Sequence, residues 1–473
     1  MTDPIIQLFE SWSGETFKTI EPMPRSGSDR VYFRLKSKTK QVVGVYNADT
    51  KENKAFIGFT NHFIRKGLNV PAVLAEDLAK NVYLLEDLGD TTLFNLIQLE
   101  SERSRFSDTL IQFYKKVLTE LPKFQIHAGK DLDYSLCYPR SKFDRQSMMW
   151  DLNYFKYYFL KLAGIAFDEQ ALEDDYQKLT NYLISADHEY FLYRDFQSRN
   201  IMIKDDDIYF IDYQGGRKGA LQYDLASLLY DAKANIPEEV RGELLGFYVN
   251  ELKKHIQVNE SEFRSYFAVF VMIRIMQAMG TYGFRGFYEK KSHFLVSIPY
   301  ALRNMDYLLS NTQLPIELPT LIPVLKQVIS SEKLKEIGKP KLKISVNSFS
   351  FRRGVPVDES GHGGGFVFDC RALPNPGRLD QYKELTGMDN EVIEYLEKEP
   401  EVFTFLQNCL QLTESSIKNY ISRSFNNLTV NFGCTGGQHR SVFLAEQFSK
   451  IVRSKFDVEV VLRHREQEMR KNK

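Results

Sequence analysis

Three polar residues near the middle of the chain have the types and the spacing that phosphoryl transfer requires. Asp195 is followed five positions later by Asn200 and, twelve positions after that, by Asp212, with short strand-like runs on either side. An Asp in such a loop can accept the proton of a substrate hydroxyl. Side-chain oxygens of Asn and Asp are ligands that Mg²⁺ prefers. The spacing therefore predicts a catalytic base, Asp195, beside a magnesium site made by Asn200 and Asp212; the alternative is a surface hairpin with solvated acids.

A glycine-rich loop near the C-terminus, Gly433–Ser441, has the composition of an anion-binding site. It follows the apolar run Leu428–Phe432 and leads into a predicted helix, Ser441–Ser454. Backbone N–H groups of such a loop at a helix N-terminus form a nest for phosphate or sulfate, and Arg440 can add a bidentate clamp. A tight strand-to-helix turn that needs glycines only for its geometry is the alternative.

The same loop also fits the pattern of a cysteine phosphatase. Five residues separate Cys434 from Arg440, as in enzymes that use a thiolate nucleophile and a phosphate-binding arginine. The loop therefore has two competing interpretations: a binding site for an anion, and a catalytic site built on Cys434.

Length and composition limit the class of protein. The 473 residues suggest roughly three domain-sized units, and 43% hydrophobic with 26% charged residues exclude wholesale disorder. Lys+Arg and Asp+Glu both number 62, so a formal net charge of zero does not indicate a strongly basic nucleic-acid scaffold, although a local basic patch is compatible with it. The four cysteines form no CxxC pair, which argues against a disulfide framework or a zinc ribbon and favours a reducing compartment.

Signals for secretion or membrane insertion are not predicted either. Residues 1–10 contain acids and Pro4 but no long apolar run, so no signal peptide is expected. The most apolar stretch, Tyr266–Gly280, is too short to span a bilayer and contains Arg274. We expect a soluble, cytoplasmic protein without a membrane partner.

Four segments differ in pattern: 1–90, 91–310, 311–340 and 341–473. The first has short runs rich in Val and Tyr around one helical stretch, Lys51–Lys66, which predicts an antiparallel sheet with a helix. The second has apolar residues at helical spacing, and the third contains four prolines and is the expected linker between domains. The fourth alternates strands and helices, as an α/β module does.

Five segments of the first two-thirds of the chain resemble kinases of the aminoglycoside-phosphotransferase type. They are Arg25–Leu35, Tyr83–Asp90, Arg194–Met202, Ile211–Gln214 and Tyr223–Ala232. More narrowly, they are similar to the bacterial anomeric sugar kinases of cell-wall recycling (the AmgK type), which act on N-acetylmuramate and N-acetylglucosamine. The resemblance covers roughly residues 10–310. It implies a bilobal protein-kinase-like α+β fold with ATP bound between the lobes.

This resemblance assigns roles to individual residues. Asp195 is the implied catalytic base, and Asn200 and Asp212 are the implied metal ligands. Asp224 is implied to be a structural acid that holds the catalytic loop. The implied nucleotide-binding residues are Ser28, Asp29 and Arg30 in the turn that covers the phosphates, and Glu86 and Leu88 in the backbone of the adenine hinge.

Two departures from the family pattern bear on activity. Tyr193 stands where many members of the family have His. The strand Val42–Tyr46 contains no Lys, although these kinases place there the Lys that binds the α- and β-phosphates. Arg30, Arg34 and Lys36 are the candidates for that charge, and a degenerate kinase fold is the alternative.

The residues that recognise the acceptor are harder to assign. Met148–Leu162 mixes aromatic and polar residues on a predicted helix, where Asp151 and Asn153 can bind sugar hydroxyls. Arg285, in a segment that resembles the same kinases, can bind a carboxylate or a phosphate. An amphipathic core helix and a solvated arginine are the alternatives.

The region after residue 341 resembles the C-terminal domain of RapZ, the RNase adapter protein. The resemblance rests on Phe368–Pro376, Leu385–Asp389, Gly433–Ser441 and Arg463–Arg465. That domain senses glucosamine-6-phosphate and binds small RNAs. The implied sugar-phosphate site consists of Asp369, Arg371, Cys434, Thr435, Gly437, His439 and Arg440, with Gly436 and Ser441 completing the loop.

RNA binding is a second implication of the same resemblance. The tail Arg463–Lys473 has five basic and two acidic residues, a net of +3, whereas the whole region from Lys341 has a net charge of only +2. A small basic patch can contact phosphates, but a charged tail is usually just solvated.

Together these patterns predict a fused cytoplasmic sugar kinase. Its N-terminal part would use ATP and Mg²⁺ to phosphorylate an amino-sugar hydroxyl, and its C-terminal α/β domain would bind a phosphorylated amino sugar. One alternative is a metabolite-sensing regulator that binds RNA or an RNase and has a degenerate kinase half. Another is a kinase fused to a cysteine phosphatase. The sugar, the hydroxyl and the oligomeric state stay open.

Overall fold

A computed structural model describes residues 2–24, 30–101, 106–338, 341–357, 365–423 and 425–471. The chain divides into two units, Met1–Gly338 and Lys339–Lys473. Each unit has a hydrophobic core of its own. The second unit begins close to the point where the sequence changes to alternating strands and helices.

An antiparallel sheet forms the first lobe of unit 1. Its elements are α1 (Thr2–Ser13), β1 (Thr19–Pro22), β2 (Val31–Lys36), β3 (Gln41–Tyr46), α2 (Thr50–Arg65), β4 (Val73–Asp77) and β5 (Val82–Glu86), with the strands in the order β1-β2-β3-β5-β4. Alternate side chains of a strand point to opposite faces. Val42 therefore packs with Ile5 of α1, whereas Val43 and Val45 pack in the core that α2 shares with the second lobe. The predicted sheet with one helix is confirmed, and α1 is an addition.

The second lobe of unit 1 is mostly helical and carries two short hairpin-like strand pairs. Its elements are α3 (Leu93–Ser101), α4 (Asp108–Pro122), α5 (Arg145–Tyr154), α6 (Lys161–Ala163), α7 (Glu169–Leu183), β6 (Tyr190–Leu192), β7 (Ile201–Lys204), β8 (Asp207–Phe210), β9 (Arg217–Gly219), α8 (Leu221–Leu229), α9 (Glu238–Leu252), α10 (Glu260–Tyr282), α11 (Ser292–Leu295), α12 (Ile298–Asn311), α13 (Leu321–Ser330) and α14 (Glu332–Glu336). Strand β6 pairs with β9, and β7 pairs with β8. Both pairs are antiparallel and flank the loops that carry Asp195 and Asp212.

Helix α10 is the central helix of this lobe. It contains the apolar stretch Tyr266–Gly280 and continues through a π-helical segment, so that Glu260–Tyr288 is long and apolar enough to cross a membrane by length and composition. In the structure, however, 72% of its most apolar window is buried. The helix packs against α5, α8 and α12. A helix that is apolar on all sides and enclosed by other helices is a core helix.

Residues 311–338, in the segment where the sequence predicts a linker, form α13 and α14 and belong to unit 1. Leu321, Val324 and Leu325 are buried in its core. Pro323 lies in the first turn of α13, where a missing N–H group costs no intrahelical hydrogen bond. The buried carboxylate of Asp175 accepts hydrogen bonds from the backbone N–H groups at the start of α13, at 2.7 and 2.8 Å.

Unit 2 is an α/β domain built on a parallel sheet. Its elements are β10 (Lys343–Ser350), β11 (Gly365–Asp369), α15 (Asn390–Glu397), α16 (Pro400–Ser422), β12 (Asn427–Cys434), α17 (Arg440–Lys455), β13 (Glu459–His464) and α18 (Arg465–Lys471), with the strands in the order β11-β12-β10-β13. The predicted α/β module is confirmed. The sequence predicts that residues 463–473 form a charged tail. In the structure, Arg463 and His464 complete β13, and the next seven residues form α18.

Candidate functional site

The β7–β8 hairpin places two of the three predicted phosphoryl-transfer residues side by side. Ile201 pairs with Phe210 at the base of the hairpin, so Asn200 and Ile211 continue the two strands. The backbone N–H of Ile211 donates to the Asn200 carbonyl at 3.1 Å. Asp212 follows directly, with a positive φ of 69° that turns the chain away from the strand.

The side chain of Asn200 connects the third residue to this pair. Its Nδ2 atom donates to the backbone carbonyl of Asp195 at 2.8 Å and to Oδ2 of Asp212 at 3.3 Å. Asp195, Asn200 and Asp212 therefore lie together, as the sequence spacing predicts. Burial raises the pKa of Asp212, and the nearby Asp195 carboxylate raises it further.

The donor atoms around Asp212 are of the kind that a magnesium ion needs. Asn200 and Asp212 supply amide and carboxylate oxygens, and Mg²⁺ takes hard oxygen ligands while keeping substrate phosphates and waters in its shell. Gln214 donates from Nε2 to Asp212 Oδ1 at 2.7 Å, and its own Oε1 is buried without a hydrogen-bond partner. Among the described residues no group of three His, Cys, Asp or Glu could hold a metal ion. A magnesium site with two protein ligands, Asn200 and Asp212, whose other ligands are phosphate oxygens and waters, does not need a group of three such side chains.

A buried carboxylate from α8 holds the loop that carries Asp195. Asp224 accepts hydrogen bonds from the backbone N–H groups of Tyr193 (2.8 Å) and Arg194 (3.0 Å). Gln125, in the π-helical segment after α4, donates to the same carboxylate at 3.1 Å. Asp224 thus does what the kinase resemblance implies for it.

Tyr193, at the position where many relatives have His, is fully buried and braces the same region. Its hydroxyl donates to the backbone carbonyl of Ile211 at 2.5 Å. This hydrogen bond joins the strand before the catalytic loop to the strand before Asp212. Tyr193, which stands where many relatives have His, therefore makes a structural contact in this protein.

On the acceptor side, Asp151 reaches the catalytic loop but Asn153 and Arg285 do not. Asp151 Oδ1 accepts from Arg194 at 2.6 Å, while its buried Oδ2 has no hydrogen-bond partner. Asn153 lines a separate depression of about 530 Å³ with Asp144, Met149 and Gln177. Arg285 is bound by Glu289 at 2.8 Å. Of the three residues assigned to sugar binding, Asp151 contacts Arg194, the residue next to Asp195.

The predicted hinge lies at the end of β5. The Glu86 carboxylate accepts from Lys204 of β7 at 2.8 Å, and Leu88 is buried. Asp87, between them, is bound by Arg34 at 2.6 and 3.0 Å. Ser28 and Asp29, predicted for the phosphate-covering turn, lie outside the described residues.

In unit 2 the anion loop connects β12 to α17, and Cys434 is enclosed by it. Cys434 is 3% exposed. Its Sγ atom accepts from the backbone N–H of Gly437 at 3.2 Å and lies 3.2 Å from the Ser441 hydroxyl. Gly437 has a φ of +67°, and a Cβ there would meet Glu466 at 2.4 Å, so the loop requires glycine at this position. By contrast, Thr435 and Gly436 are exposed and form the open part of the loop.

The two ionisable side chains at the end of the loop are held by backbone carbonyls. Arg440 is 5% exposed, and its Nη1 atom donates to the carbonyls of Arg371 (2.8 Å) and Leu373 (2.9 Å). His439 donates from Nε2 to the carbonyl of Tyr382 at 2.8 Å. Arg440 therefore fixes the segment after β11 to the loop. This arrangement differs from the freely presented phosphate clamp that the sequence predicts.

The segment after β11 presents an ion pair beside the loop. Asp369 and Arg371 are joined at 2.6 Å, and both are about half exposed. The Arg371 guanidinium lies over the ring of Phe351, 4.2 Å from its centroid. Hydrogen bonds from the Arg371 guanidinium and backbone lower the pKa of Asp369. A carboxylate held ionised in this way is a poor proton donor.

Two family patterns cover most of the chain. The phosphotransferase enzyme family matches residues 19–255, just over half of the chain, so the protein belongs to this family. Residues 342–468 match the RapZ C-terminal domain. Both broad resemblances stated from the sequence are confirmed, as is a kinase-like first unit followed by a separate α/β domain.

Relatives are similar over only part of their length. "Nucleotide-binding" proteins of Xylella fastidiosa and Listeria monocytogenes are 40% identical over 128 residues and 36% identical over 163 residues, which are 27% and 34% of this chain. The chain spans 42% and 53% of those two proteins, about half their length.

Solved structures that are similar to part of the chain include two choline kinases. Choline kinase LicA from Streptococcus pneumoniae has a TM-score of 0.39 at 14% identity, covering 64% of this chain and 96% of its own. Choline kinase from Cryptosporidium parvum has a TM-score of 0.44 at 12% identity, covering 66% and 91%.

Proposed function

We propose that the protein is an ATP-dependent amino-sugar kinase whose C-terminal domain binds a phosphorylated amino sugar. The proposal combines membership of a phosphotransferase family with the sequence resemblance to anomeric sugar kinases. The reaction would transfer the γ-phosphoryl group of ATP to a sugar hydroxyl, most simply the anomeric one. It would take place in the cytoplasm, where ATP is available.

The observation that carries the proposal is the Asn200 side chain, which joins Asp195 to Asp212. A base for the acceptor and an oxygen ligand for a metal must lie within a few ångströms of each other, because both act on the same γ-phosphoryl group. Asp195 would accept the hydroxyl proton as the sugar oxygen bonds to phosphorus and the bond to ADP breaks.

Asn200 and Asp212 would hold Mg²⁺, which when bound neutralises charge on the phosphates. The hinge backbone from Glu86 to Leu88 would accept and donate hydrogen bonds to adenine. Lys204 supports this hinge, because it binds the Glu86 carboxylate at 2.8 Å.

Asp151 supports a polyhydroxylated acceptor. Its Oδ2 atom is buried and has no hydrogen-bond partner among the described residues, and an unpaired buried acceptor costs free energy until a donor arrives. A sugar hydroxyl is such a donor. Arg194 holds Asp151 beside the catalytic loop at 2.6 Å, so a hydroxyl bound there lies close to Asp195.

For unit 2, we propose that the loop Gly433–Ser441 binds the phosphate of an amino-sugar phosphate. The support is the exposed tip at Thr435 and Gly436 at the N-terminus of α17, where backbone N–H groups attract anions. Contact with RNA through this domain stays an expectation of the resemblance.

The test is ADP formation in the presence of Mg²⁺ and a panel of acceptors: N-acetylglucosamine, N-acetylmuramate, glucosamine and choline. We expect turnover with an amino sugar. Asp151→Ala should raise the KM for that sugar by about 10-fold or more, the cost of one hydrogen bond to a charged group. Gln146→Ala, at an exposed residue of the same helix that lines the separate depression, is the matched control.

Absence of ADP formation with every acceptor, while glucosamine-6-phosphate still binds, would contradict the kinase and favour the regulator with a degenerate kinase half. Turnover with choline alone would contradict the proposal that the acceptor is an amino sugar.

A further inference from the structure

Strand β3, in the first lobe of unit 1, lacks the lysine that kinases use to bind the α- and β-phosphates. The two residues of β3 that face the shared core are Val43 and Val45, and both are buried. A kinase active site needs a cation here, because the phosphates of ATP carry several negative charges that must be bound and oriented.

Arg30 is a buried cation with unused hydrogen-bond donors. It precedes β2 and is 3% exposed. Its Nη2 atom lies 2.7 Å from Oε1 of Glu52, in the first turn of α2, but the contact lacks the alignment of a hydrogen bond. Nε and Nη2 thus have no hydrogen-bond partner among the described residues. Glu52 balances the guanidinium charge, but buried guanidinium N–H groups are nearly always hydrogen-bonded, so these two donors are available to a further acceptor.

The surroundings of Arg30 are those of the proposed phosphate site. Gln214 donates to Asp212 at 2.7 Å and approaches Oε1 of Glu52 at 3.4 Å, so Glu52 connects Arg30 to the proposed metal ligand. The buried hydroxyl of Tyr83, near Arg30, is likewise without a hydrogen-bond partner.

The two cations of β2, Arg34 and Lys36, are placed differently from Arg30. Arg34 binds Asp87 at 2.6 Å and Asp90 at 2.9 Å, so its donors are already used at the hinge. Lys36 ends the strand and pairs with Gln41 in the turn to β3, at the opposite end of β2 from Arg30.

We propose that Arg30 replaces the missing strand lysine: its Nε–H and Nη2–H groups bind the α- and β-phosphate oxygens of ATP, and Glu52 holds the guanidinium in position. This inference rests on the proposed nucleotide binding of unit 1. It assigns the phosphate-binding function of the usual lysine to Arg30, which precedes β2, and the positioning function of its glutamate partner to Glu52 in α2. A planar guanidinium suits this task, because it can bind two phosphate oxygens at once.

The experiment measures nucleotide binding by calorimetry on the full chain with Mg²⁺, for ATP, ADP and adenosine. The variants are Arg30→Met, Arg30→Lys and, as the matched control that removes a cation from the far end of β2, Lys36→Met. We expect Arg30→Met to weaken ATP and ADP by about 10- to 100-fold and to leave adenosine within about twofold. Arg30→Lys should recover part of the loss, and Lys36→Met should behave as the wild type.

An Arg30→Met protein with the wild-type ratio of adenosine to ADP affinity would overturn the inference. If that variant does not fold, the ratio in Arg30→Lys decides, since an unchanged ratio would show that the guanidinium fork makes no contact with phosphate. Because binding and not turnover is measured, a chain that binds ATP but phosphorylates nothing would fail the test of the proposed function and could still pass this one. A wild-type chain that binds no nucleotide would overturn both.

Discussion

The Oδ2 atom of Asp224 accepts a hydrogen bond of 2.8 Å from the backbone N–H of Tyr193. Its second oxygen accepts from the N–H of Arg194, which has a φ of +82°, a conformation that residues with side chains rarely adopt. A single buried carboxylate thus holds a strained turn immediately before Asp195. Helix α8 thus holds the backbone that leads to the proposed base.

Replacement of Asp224 by Asn should therefore impair both stability and turnover. An amide has one acceptor oxygen, so at least one of the two loop N–H groups loses its partner inside the protein, at a cost of about 1–3 kcal/mol. We expect a lower free energy of unfolding and a lower kcat. Both tryptophans, Trp12 and Trp150, lie in unit 1, so tryptophan fluorescence during urea titration reports on this unit alone. A variant with unchanged stability and unchanged kcat would contradict this role.

The same carboxylate should give unit 1 a characteristic pH dependence. Burial raises the pKa of Asp224 to about 7, although its hydrogen bonds from Tyr193, Arg194 and Gln125 act in the opposite direction. The native state then binds this proton more tightly than the unfolded state does. The resulting stability is complete below about pH 4 and is lost as the pH rises towards about 7. We expect the wild type to lose stability relative to Asp224→Asn over this range, measured by urea titration at several pH values. An equal pH dependence of the two proteins would contradict the prediction.

The C-terminal boundary of the kinase unit should lie after α14. A chain that ends at Gly338 keeps α13 and α14, whereas one that ends at Asn311 loses the core residues Leu321 and Leu325 and leaves the Asp175 carboxylate without its two N–H partners. We expect the shorter protein to unfold at a much lower temperature or to be insoluble. The measurement is thermal unfolding followed by tryptophan fluorescence, with the Gly338 protein as the control. Equal midpoints would show that α13 and α14 do not contribute to this unit.

In unit 2, Arg440 should matter more for ligand binding than Cys434. Arg440→Ala removes the hydrogen bonds to the carbonyls of Arg371 and Leu373, so the segment after β11 loses its attachment to the loop. We expect about a 10-fold or larger loss of affinity for glucosamine-6-phosphate by calorimetry. Cys434→Ser, which keeps a small polar group beside Ser441, should retain most of the affinity. Release of inorganic phosphate that depends on Cys434 would instead support the phosphatase.

The sequence predicted best those parts that local pattern determines. The spacing of Asp195, Asn200 and Asp212 predicts short strands on either side of these residues. The β7–β8 register confirms this, because it places Asn200 beside the residue that precedes Asp212. Asn153 is a residue whose placement away from Asp151 helical geometry alone could have predicted. Asp151 and Asn153 are two residues apart, which is a rotation of about 200° around a helix. Their side chains therefore lie on opposite sides of α5.

Other features depend on contacts between residues far apart in the chain. The prolines of residues 311–340 suggested a linker, but the apolar spacing of Leu321, Val324 and Val328 outweighs them once Asp175 caps the helix. Glu52 and Gln214 were not assigned a role from the sequence. Gln214 stands in a segment that resembles kinases and could have been found there, whereas only the fold places Glu52 beside Arg30. The sequence analysis does not predict strand β13, because charged residues surround the short apolar run Val460–Leu462 that forms its middle.

The central claim is that Asp195, Asn200 and Asp212 carry out phosphoryl transfer. The most direct measurement compares kcat for ADP formation and the dissociation constant for Mg²⁺–ATP in Asp195→Asn and Asp212→Asn, with Asp207→Asn on the exposed hairpin turn as the control. Asp195→Asn should lower kcat by about 10²–10⁴ and leave nucleotide affinity nearly intact, because the base contacts the acceptor. Asp212→Asn should instead abolish the magnesium-dependent part of nucleotide binding. Near-normal turnover in either variant would contradict the account.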